Sequence, residues 1–299
     1  MLATLTEKRF SAPDWIYERK FDGIRCLAFG RRGRISLLTR NRLSANDRFP
    51  GVVEALAGQH REAFIADGEV VAFRGLESSF SLLQRRENAR IVFQVFDVLY
   101  ADGWDVTRVA QLHRKAVLRQ LFDFGGPLRY TTHRIGAGEK YAREACQKGW
   151  EGVIAKRTDA PYEHRRSPAW LKFKCVNEQE LVIGGFTEPQ GSRQGFGALL
   201  VGYRQGSDFV YAGKVGTGFD EATLRDLTKR LTAIERATPP FTRGVEKLPP
   251  RGVHWVKPVL VGQVGFAEWT GDGRLRHPRF LGLRSDKAAK DVVREVPAG

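Results

Sequence analysis

The sequence predicts an α+β fold in two domains: an N-terminal domain of antiparallel sheets and helices over residues 1–176, and a C-terminal β-barrel over residues 177–299. Three observations predict it. The chain has 299 residues, and at about 150 residues per domain that length suits two separate cores. Through the first part, short strand-like runs alternate with helical patterns. From Leu181 the rhythm changes to successive strands around a single helix.

The first strands are Trp15 to Phe21, Ile24 to Phe29 and Ile35 to Thr39, broken by Gly23 and by the Arg31-Arg32-Gly33-Arg34 turn. Further runs at Phe64 to Phe73, Ile91 to Tyr100, Leu128 to Thr132, Gly152 to Lys156 and Trp170 to Lys174 read as strands. Between them, Val109, Leu112, Ala116 and Leu121 mark one helix, and Tyr141 to Lys148 another that Gly149 ends. The C-terminal part begins with strands at Leu181 to Phe186, Ala198 to Tyr203 and Phe209 to Ala212. A helix follows with Leu224, Leu227, Leu231 and Ile234 on one face. After the proline pairs Pro239-Pro240 and Pro249-Pro250 come Val253 to Lys257, Leu260 to Trp269, a turn at Gly271-Asp272-Gly273 and a last strand. Three strands, a helix and two strands is the order of an OB barrel, although any small barrel or sandwich also fits the pattern.

Lys and Arg number 49 against 34 Asp and Glu, a formal charge of +15. A polyanion such as nucleic acid would account for it; anionic lipid and plain solubility are competing explanations. No apolar run approaches the roughly 18 residues of a transmembrane helix, and Glu7, Lys8 and Arg9 follow the start too soon for a secretory segment. A soluble chain in a reducing, intracellular compartment is expected. Cys26, Cys146 and Cys175 are odd in number and widely spaced, which argues against a disulfide scaffold and a four-cysteine zinc site.

Chemistry concentrates in a few clusters. Glu18-Arg19-Lys20-Phe21-Asp22-Gly23-Ile24-Arg25 lies at a strand-to-turn junction. A lysine is a nucleophile only when neutral, and nearby cations such as Arg19 and Arg25, or desolvation, would lower its pKa. Alone, such a segment is equally a surface hairpin. Asp67-Gly68-Glu69, Phe96-Asp97, Glu151 to Lys156 and Trp170-Leu171-Lys172-Phe173-Lys174 follow in order. Each is unremarkable by itself: an exposed Glu is usually solvated and a Phe in an apolar strand is usually core. Alternation does place Lys172 and Lys174 on one strand face, where both could hold a phosphate.

In this order and with these gaps, the clusters resemble the covalent nucleotidyltransferases, specifically ATP-dependent DNA ligases. Lys20 to Arg25 is similar to their adenylation motif, Arg40-Asn41 to the next, and Asp67 to Glu69 to the third. Phe96-Asp97 is similar to the adenine-stacking motif, Glu151 to Lys156 to the fourth, and Lys172 with Lys174 to the fifth. Arg276 to Lys287 resembles the sixth motif, carried on the OB domain. Its wording, with Gly184 to Gly191 and Gly213 to Gly218, is similar to the ligase domain of bacterial ligase D. Thr39 stands where many relatives have Ser, which keeps the hydroxyl.

The resemblance implies a nucleotidyltransferase (adenylation) domain followed by an OB-fold domain, with Lys20 taking AMP from ATP. Lys172, Lys174 and a divalent ion, Mg²⁺ or Mn²⁺, on Glu151 and Glu69 would offset phosphate charge; Arg284, Asp286 and Lys287 would orient pyrophosphate. Phe96 and Ile154 would sandwich adenine, Glu69 and Arg25 would reach the ribose, and Glu18 the base edge. Arg40 would anchor a DNA 5′-phosphate, with Arg31, Arg32 and Arg34 on a wider basic surface. Nicked or broken duplex DNA is the implied partner, with a Ku homologue and separate polymerase or phosphoesterase proteins in end joining; a monomer near the bacterial nucleoid, off any membrane, is expected. Rival readings are a capping-type guanylyltransferase, an RNA ligase, and a non-catalytic nucleic-acid-binding protein.

Overall fold

The computed structural model describes residues 1–75, 77–78, 82–83, 89–175, 177–189, 194–245 and 252–296. The sequence readings at Gln190, Gly191, Pro249 and Pro250 lie outside them. The chain divides into two compact units, Met1–Cys175 with Val296–Gly299, and Val176–Glu295.

Two sheets build the first unit. In one, five strands run in the order Leu2–Leu5, Arg166–Lys174, Gly152–Arg157, Trp15–Lys20 and His133–Ile135. The other has seven strands, with Arg34–Thr39, Ile24–Arg31, Ala63–Arg74, Arg90–Ala101 and Trp104–Asp105 in line. Glu77–Ser78 pairs with Ala63–Arg74, and Leu128–Tyr130 lies parallel to Arg90–Ala101. Alternation sorts each strand's residues between two faces. Ile24, Cys26 and Ala28 point to a core closed by helix Pro50–Ala57 and helix Gln111–Leu121. Tyr17, Val153, Ala155 and Phe173 pack beneath helix Gly138–Gln147. Between the two sheets lies a smaller apolar cluster of Leu99, Tyr162 and Trp170, with Leu27, Ile65 and Phe96 against it.

Helix Gln111–Leu121 departs from the expected pattern. Its buried stripe is Gln111, Arg114, Lys115, Leu118 and Leu121, whereas Ala116 is exposed and Leu112 only half-buried. The spacing is helical, but three of these five residues are polar, because the helix supplies partners to buried charges on the sheet. Arg114 is fully buried and grips Asp97 with two bonds of 2.9 Å, and also donates to the Ala160 carbonyl at 2.9 Å. Gln111 Oε1 accepts from Trp170 Nε1 at 2.9 Å, joining the helix to the other sheet.

Sequence also missed helix Pro50–Ala57, which is only eight residues long, and the strand Leu2–Leu5. It also missed a disulfide: Cys146 and Cys175, 29 residues apart, are joined, with their Cα atoms 5.0 Å from each other. Linear spacing hid the pairing because helix Gly138–Gln147 packs back on the sheet beside the end of Arg166–Lys174. The expectation of wholly reduced cysteines is corrected accordingly. Cys26 is buried in the core.

The second unit is built on a seven-stranded sheet. Asp208–Val215, Leu199–Gln205, Asn177–Thr187, Val253–Val256 and Glu235–Arg236 lie in line, and Val261–Phe266 joins Asn177–Thr187 to Arg279–Leu283. Helix Glu221–Thr232 starts on an Asp220 cap that accepts from the Thr223 amide at 2.8 Å, and buries Leu227 and Leu231 as expected. The strand order is that of an OB-type unit, but among the described residues the sheet is not a closed barrel. A single bridge, Thr217 to Arg279, links the outer strands. Gly218 makes that approach possible, since a Cβ there would stand 2.2 Å from the Phe280 carbonyl oxygen. Among the described residues no helix is long and apolar enough to cross a membrane.

Breaking a buried ion pair strands the remaining charge. Arg114→Met is therefore expected to destabilise the first unit by about 3–5 kcal/mol, seen as an earlier urea midpoint. Asp97→Asn combined with Arg114→Met should lose less than Arg114→Met alone.

Candidate active site

Strand register assembles the site on one face of the five-stranded sheet. Lys20, Gly152 and Lys174 form one cross-strand row, and Glu18, Ile154 and Lys172 the next. Lys156 lies one row further on, opposite Trp170 and Ile16. Alternation puts all of them on the same face. Gly152 permits the close approach: a Cβ there would fall 2.0 Å from the Phe173 carbonyl oxygen. Lys20 and Lys174 therefore flank a position with no side chain.

Lys20 Nζ is hydrogen-bonded to Glu151 Oε1. Burial by itself would push the lysine pKa down, but the Glu151 carboxylate, with Asp22 and Glu69 behind it, raises it above the ordinary lysine value. The expected lowering by Arg19 and Arg25 is thus corrected, since both guanidinium groups are directed elsewhere. Arg19 lies 4.3 Å from the Trp150 ring centroid and 5.0 Å from that of Phe21, and donates to Ser78 Oγ at 2.7 Å. Arg25 makes a two-bond contact with Asp67, at 2.9 and 2.5 Å, and Tyr162 Oη donates to the same carboxylate at 2.7 Å. Burial pushes the Asp67 pKa up, but Arg25 outweighs it and holds the carboxyl below its usual range.

The facing sheet contributes Arg25, Glu69 and Phe96. Arg25 and Glu69 are cross-strand neighbours, and Gly23 lets the Lys20 turn lie against Val70, whose carbonyl oxygen would be 2.2 Å from a Cβ. The Phe96 ring packs edge-on against Trp170 at 6.0 Å. Lys156 Nζ lies 4.6 Å and the Arg25 guanidinium 5.4 Å from its centroid. Glu18 is 2 % exposed and meets two lysines, Lys115 at 2.7 Å and Lys156 at 2.6 Å. Burial raises its pKa, yet the two ammonium groups prevail and hold it below the usual range. Sequence reasoning assigned no role to Lys115, Lys156, Asp67 or Tyr162. Lys156 and Asp67 lay within motifs already singled out, whereas Lys115 sat in an ordinary helical pattern.

Glu151 Oε2 is buried without a hydrogen-bond partner, while Oε1 holds Lys20. An orphaned carboxylate oxygen, with the Glu69 charge also acting on Lys20, fits a divalent cation that keeps most of its waters. Arg40 is exposed, immediately after the strand that pairs Thr39 with Cys26. Arg31, Arg32 and Arg34 are exposed on the hairpin at the other end of the same pair of strands, and Arg32 is bonded to Glu62 at 2.8 Å.

Motif-six residues lie in the second unit. Arg284 makes two bonds to Asp286, at 2.9 and 2.8 Å, and Lys287 stands 3.7 Å from Glu180. The main chain of Arg284 donates to the Val261 carbonyl at 2.7 Å.

Residues 1–174 match the family described as the ATP dependent DNA ligase domain, and residues 192–287 the ATP dependent DNA ligase C terminal region. The chain belongs to the ATP-dependent DNA ligases. It is 36% identical over 315 residues to the multifunctional non-homologous end joining protein LigD of Pseudomonas aeruginosa, covering 100% of this chain and 36% of that one. A LigD of Mycolicibacterium smegmatis is 35% identical over 300 residues, covering 99% and 39%. The ligase thus spans well under half the length of these relatives. Among solved structures it is similar to a mycobacterial DNA ligase D complexed with ATP and MES, at 33% identity and a TM-score of 0.67, with 98% of each chain covered. The ligase domain of Mycobacterium tuberculosis LigD matches at 34% identity and a TM-score of 0.50, again over 98% of both.

In the second unit of the ligase, burial would raise the Glu180 pKa, but Lys287 and Arg284 hold it down at about 2. A carboxyl lowered by folding adds stability above its unfolded pKa and loses it as pH falls through the folded value. Glu180→Gln should therefore cost up to roughly 3 kcal/mol near pH 7 by this linkage. The difference from wild type should shrink between about pH 4.5 and pH 2, as measured by urea unfolding at each pH.

Proposed function

We propose that this ligase seals breaks bearing a 5′-phosphate and a 3′-hydroxyl in duplex DNA, through a lysyl-AMP intermediate and a DNA-adenylate. The observation that carries the reading is the row of Lys20, Gly152 and Lys174, with Glu151 bonded to Lys20. Once neutral, Lys20 Nζ attacks the α-phosphorus of ATP; the N–P bond forms as the bond to pyrophosphate breaks. Lys172 and Lys174 lie beside that position and offset charge on the phosphate oxygens. A divalent cation, Mg²⁺ or Mn²⁺, on Glu151 and Glu69 would offset phosphate charge and the carboxylate charge that keeps Lys20 protonated. Phe96 and Ile154 receive the adenine, Arg25 and Glu69 the ribose, and Glu18 the base edge. Arg284, Asp286 and Lys287 orient the departing pyrophosphate.

In the second step an oxygen of the DNA 5′-phosphate attacks the same phosphorus. The N–P bond breaks, and Lys20 regains a proton. Arg40 anchors that 5′-phosphate. In the third, the 3′-hydroxyl oxygen attacks the 5′-phosphorus and gives up its proton to solvent, AMP leaves with the bridging oxygen, and the strand is continuous. A charge of +15 suits an enzyme that must bind backbone phosphate at any sequence. The end-joining names of its relatives support double-strand break repair in a bacterial cytoplasm. By the resemblance to ligase D, a Ku homologue and separate end-processing polymerase and phosphoesterase proteins would be its partners, and the ligase would act as a monomer.

Incubation with α-labelled ATP or GTP and Mg²⁺, followed by a denaturing gel, tests the reading. Label from ATP alone is expected; label from GTP alone would make it a capping-type enzyme, and no label a binding protein. Lys20→Ala should abolish the label and leave DNA affinity within about twofold, and Lys20→Arg should not restore it because a guanidinium stays protonated. Arg40→Ala should label normally yet seal a 5′-phosphorylated nick at least about tenfold more slowly, consistent with loss of a charge-assisted contact. Loss of labelling with normal sealing of pre-adenylated DNA would sink the Arg40 assignment.

A further inference from the structure

Lys115 is a buried cation that the reaction steps above leave without a task. It is 1% exposed, projects from helix Gln111–Leu121, and touches three separate segments. Its Nζ stands 2.7 Å from Glu18 Oε1, donates to the Thr131 carbonyl at 2.7 Å and reaches the Phe96 carbonyl at 3.4 Å. The ring of Tyr130 lies 4.2 Å away. A lysine buried for packing alone is a poor choice, because an apolar side chain fills a helix stripe without desolvating a charge. The ammonium therefore acts on what it contacts, and its ionic contact is Glu18. Lys156 holds the other Glu18 oxygen, with the Phe96 ring 4.6 Å away. Between them the two lysines set both the ionisation and the orientation of one carboxylate beside the Phe96 platform. Thr131 Oγ1, on the residue whose carbonyl Lys115 holds, is buried without a hydrogen-bond partner.

We propose that Lys115 is a positioning residue for nucleotide selection: it holds Glu18 as an ionised acceptor at the base edge, so that the site demands a purine with an amine at position 6. The inference rests on the placement of adenine against Phe96 and Glu18 proposed above. A carboxylate can only accept hydrogen bonds. A 6-amino group donates to it, whereas a 6-oxo group would set lone pair against lone pair, and a purine with hydrogen at position 6 leaves the acceptor position facing the base without a donor. Were Lys115 absent, Glu18 would lose one of two restraints and half its compensating charge, and the demand for a donor would relax.

The test compares ATP with purine riboside triphosphate, which lacks the 6-amino group, as substrates for lysyl-nucleotide formation by the full chain, read by intact mass. Wild type should favour ATP by about 10–100-fold in kcat/KM, the range for a hydrogen bond to a charged group. Lys115→Met should raise KM for ATP and leave KM for purine riboside triphosphate within about twofold, bringing the preference close to one. A merely structural role would weaken both substrates equally. Lys115→Gln keeps a donor for the Thr131 carbonyl but not the charge. It should show the same loss of preference, and it carries the test if the Met variant does not fold. A folded variant that retains the wild-type preference would overturn the inference. So would a wild-type chain that accepts both substrates equally, while leaving the ligase reading intact. A wild-type chain labelled by neither would overturn both.

Discussion

Charge is buried between the two sheets of the first unit, and it is tolerable there because each buried group meets its opposite. Glu18 stands between Lys115 and Lys156, Asp97 is gripped by Arg114, and Asp67 by Arg25 and Tyr162. These contacts tie three strands of one sheet, a helix, and two strands of the other into a single polar layer. The side chains proposed to face a nucleotide are thereby fixed in orientation by packing behind them. Removing one member would leave its partner charged in a low-dielectric setting, so the layer is kept whole or lost in larger pieces.

Lys20 stands in tension with its own chemistry. Its neighbours keep it protonated, and a protonated amine has no lone pair to offer. The ammonium is paired with Glu151, so in the proposed reaction Lys20 would gain a lone pair only when that carboxylate charge is offset. Arg19 and Arg25, which flank it in sequence, serve as struts instead. One is enclosed by aromatic rings and the other is bound to a carboxylate.

Strand positions and the shared face of Lys172 and Lys174 were legible in the sequence because period-two alternation sorts a strand's side chains between two faces; the gathering of Lys20, Glu18 and Ile154 beside them was expected only from the resemblance to ligases, because it depends on which strands pair. Helix Gln111–Leu121 was legible as a helix, but its buried face was not. Periodicity searches look for apolar stripes, and here the buried stripe carries Gln111, Arg114 and Lys115. The Lys20 to Glu151 contact was equally invisible, since 131 residues separate the two and only the pairing of Trp15–Lys20 with Gly152–Arg157 brings them together. The expected barrel was read from element order, which gives neighbours but not whether the outermost strands meet; among the described residues they share one bridge.

The bond between Cys146 and Cys175 encloses a covalent ring, and the ring contains Glu151, Gly152, Ile154, Lys156, Lys172 and Lys174. Several residues of the candidate site thus belong to one closed loop of chain, while Lys20, Glu18, Arg25, Glu69 and Phe96 lie outside it. A protease that cut one peptide bond between residues 147 and 174 would leave two pieces still joined through sulfur. Such a nicked molecule keeps its full mass until a thiol reductant is added, and its two sheets can stay paired across the cut.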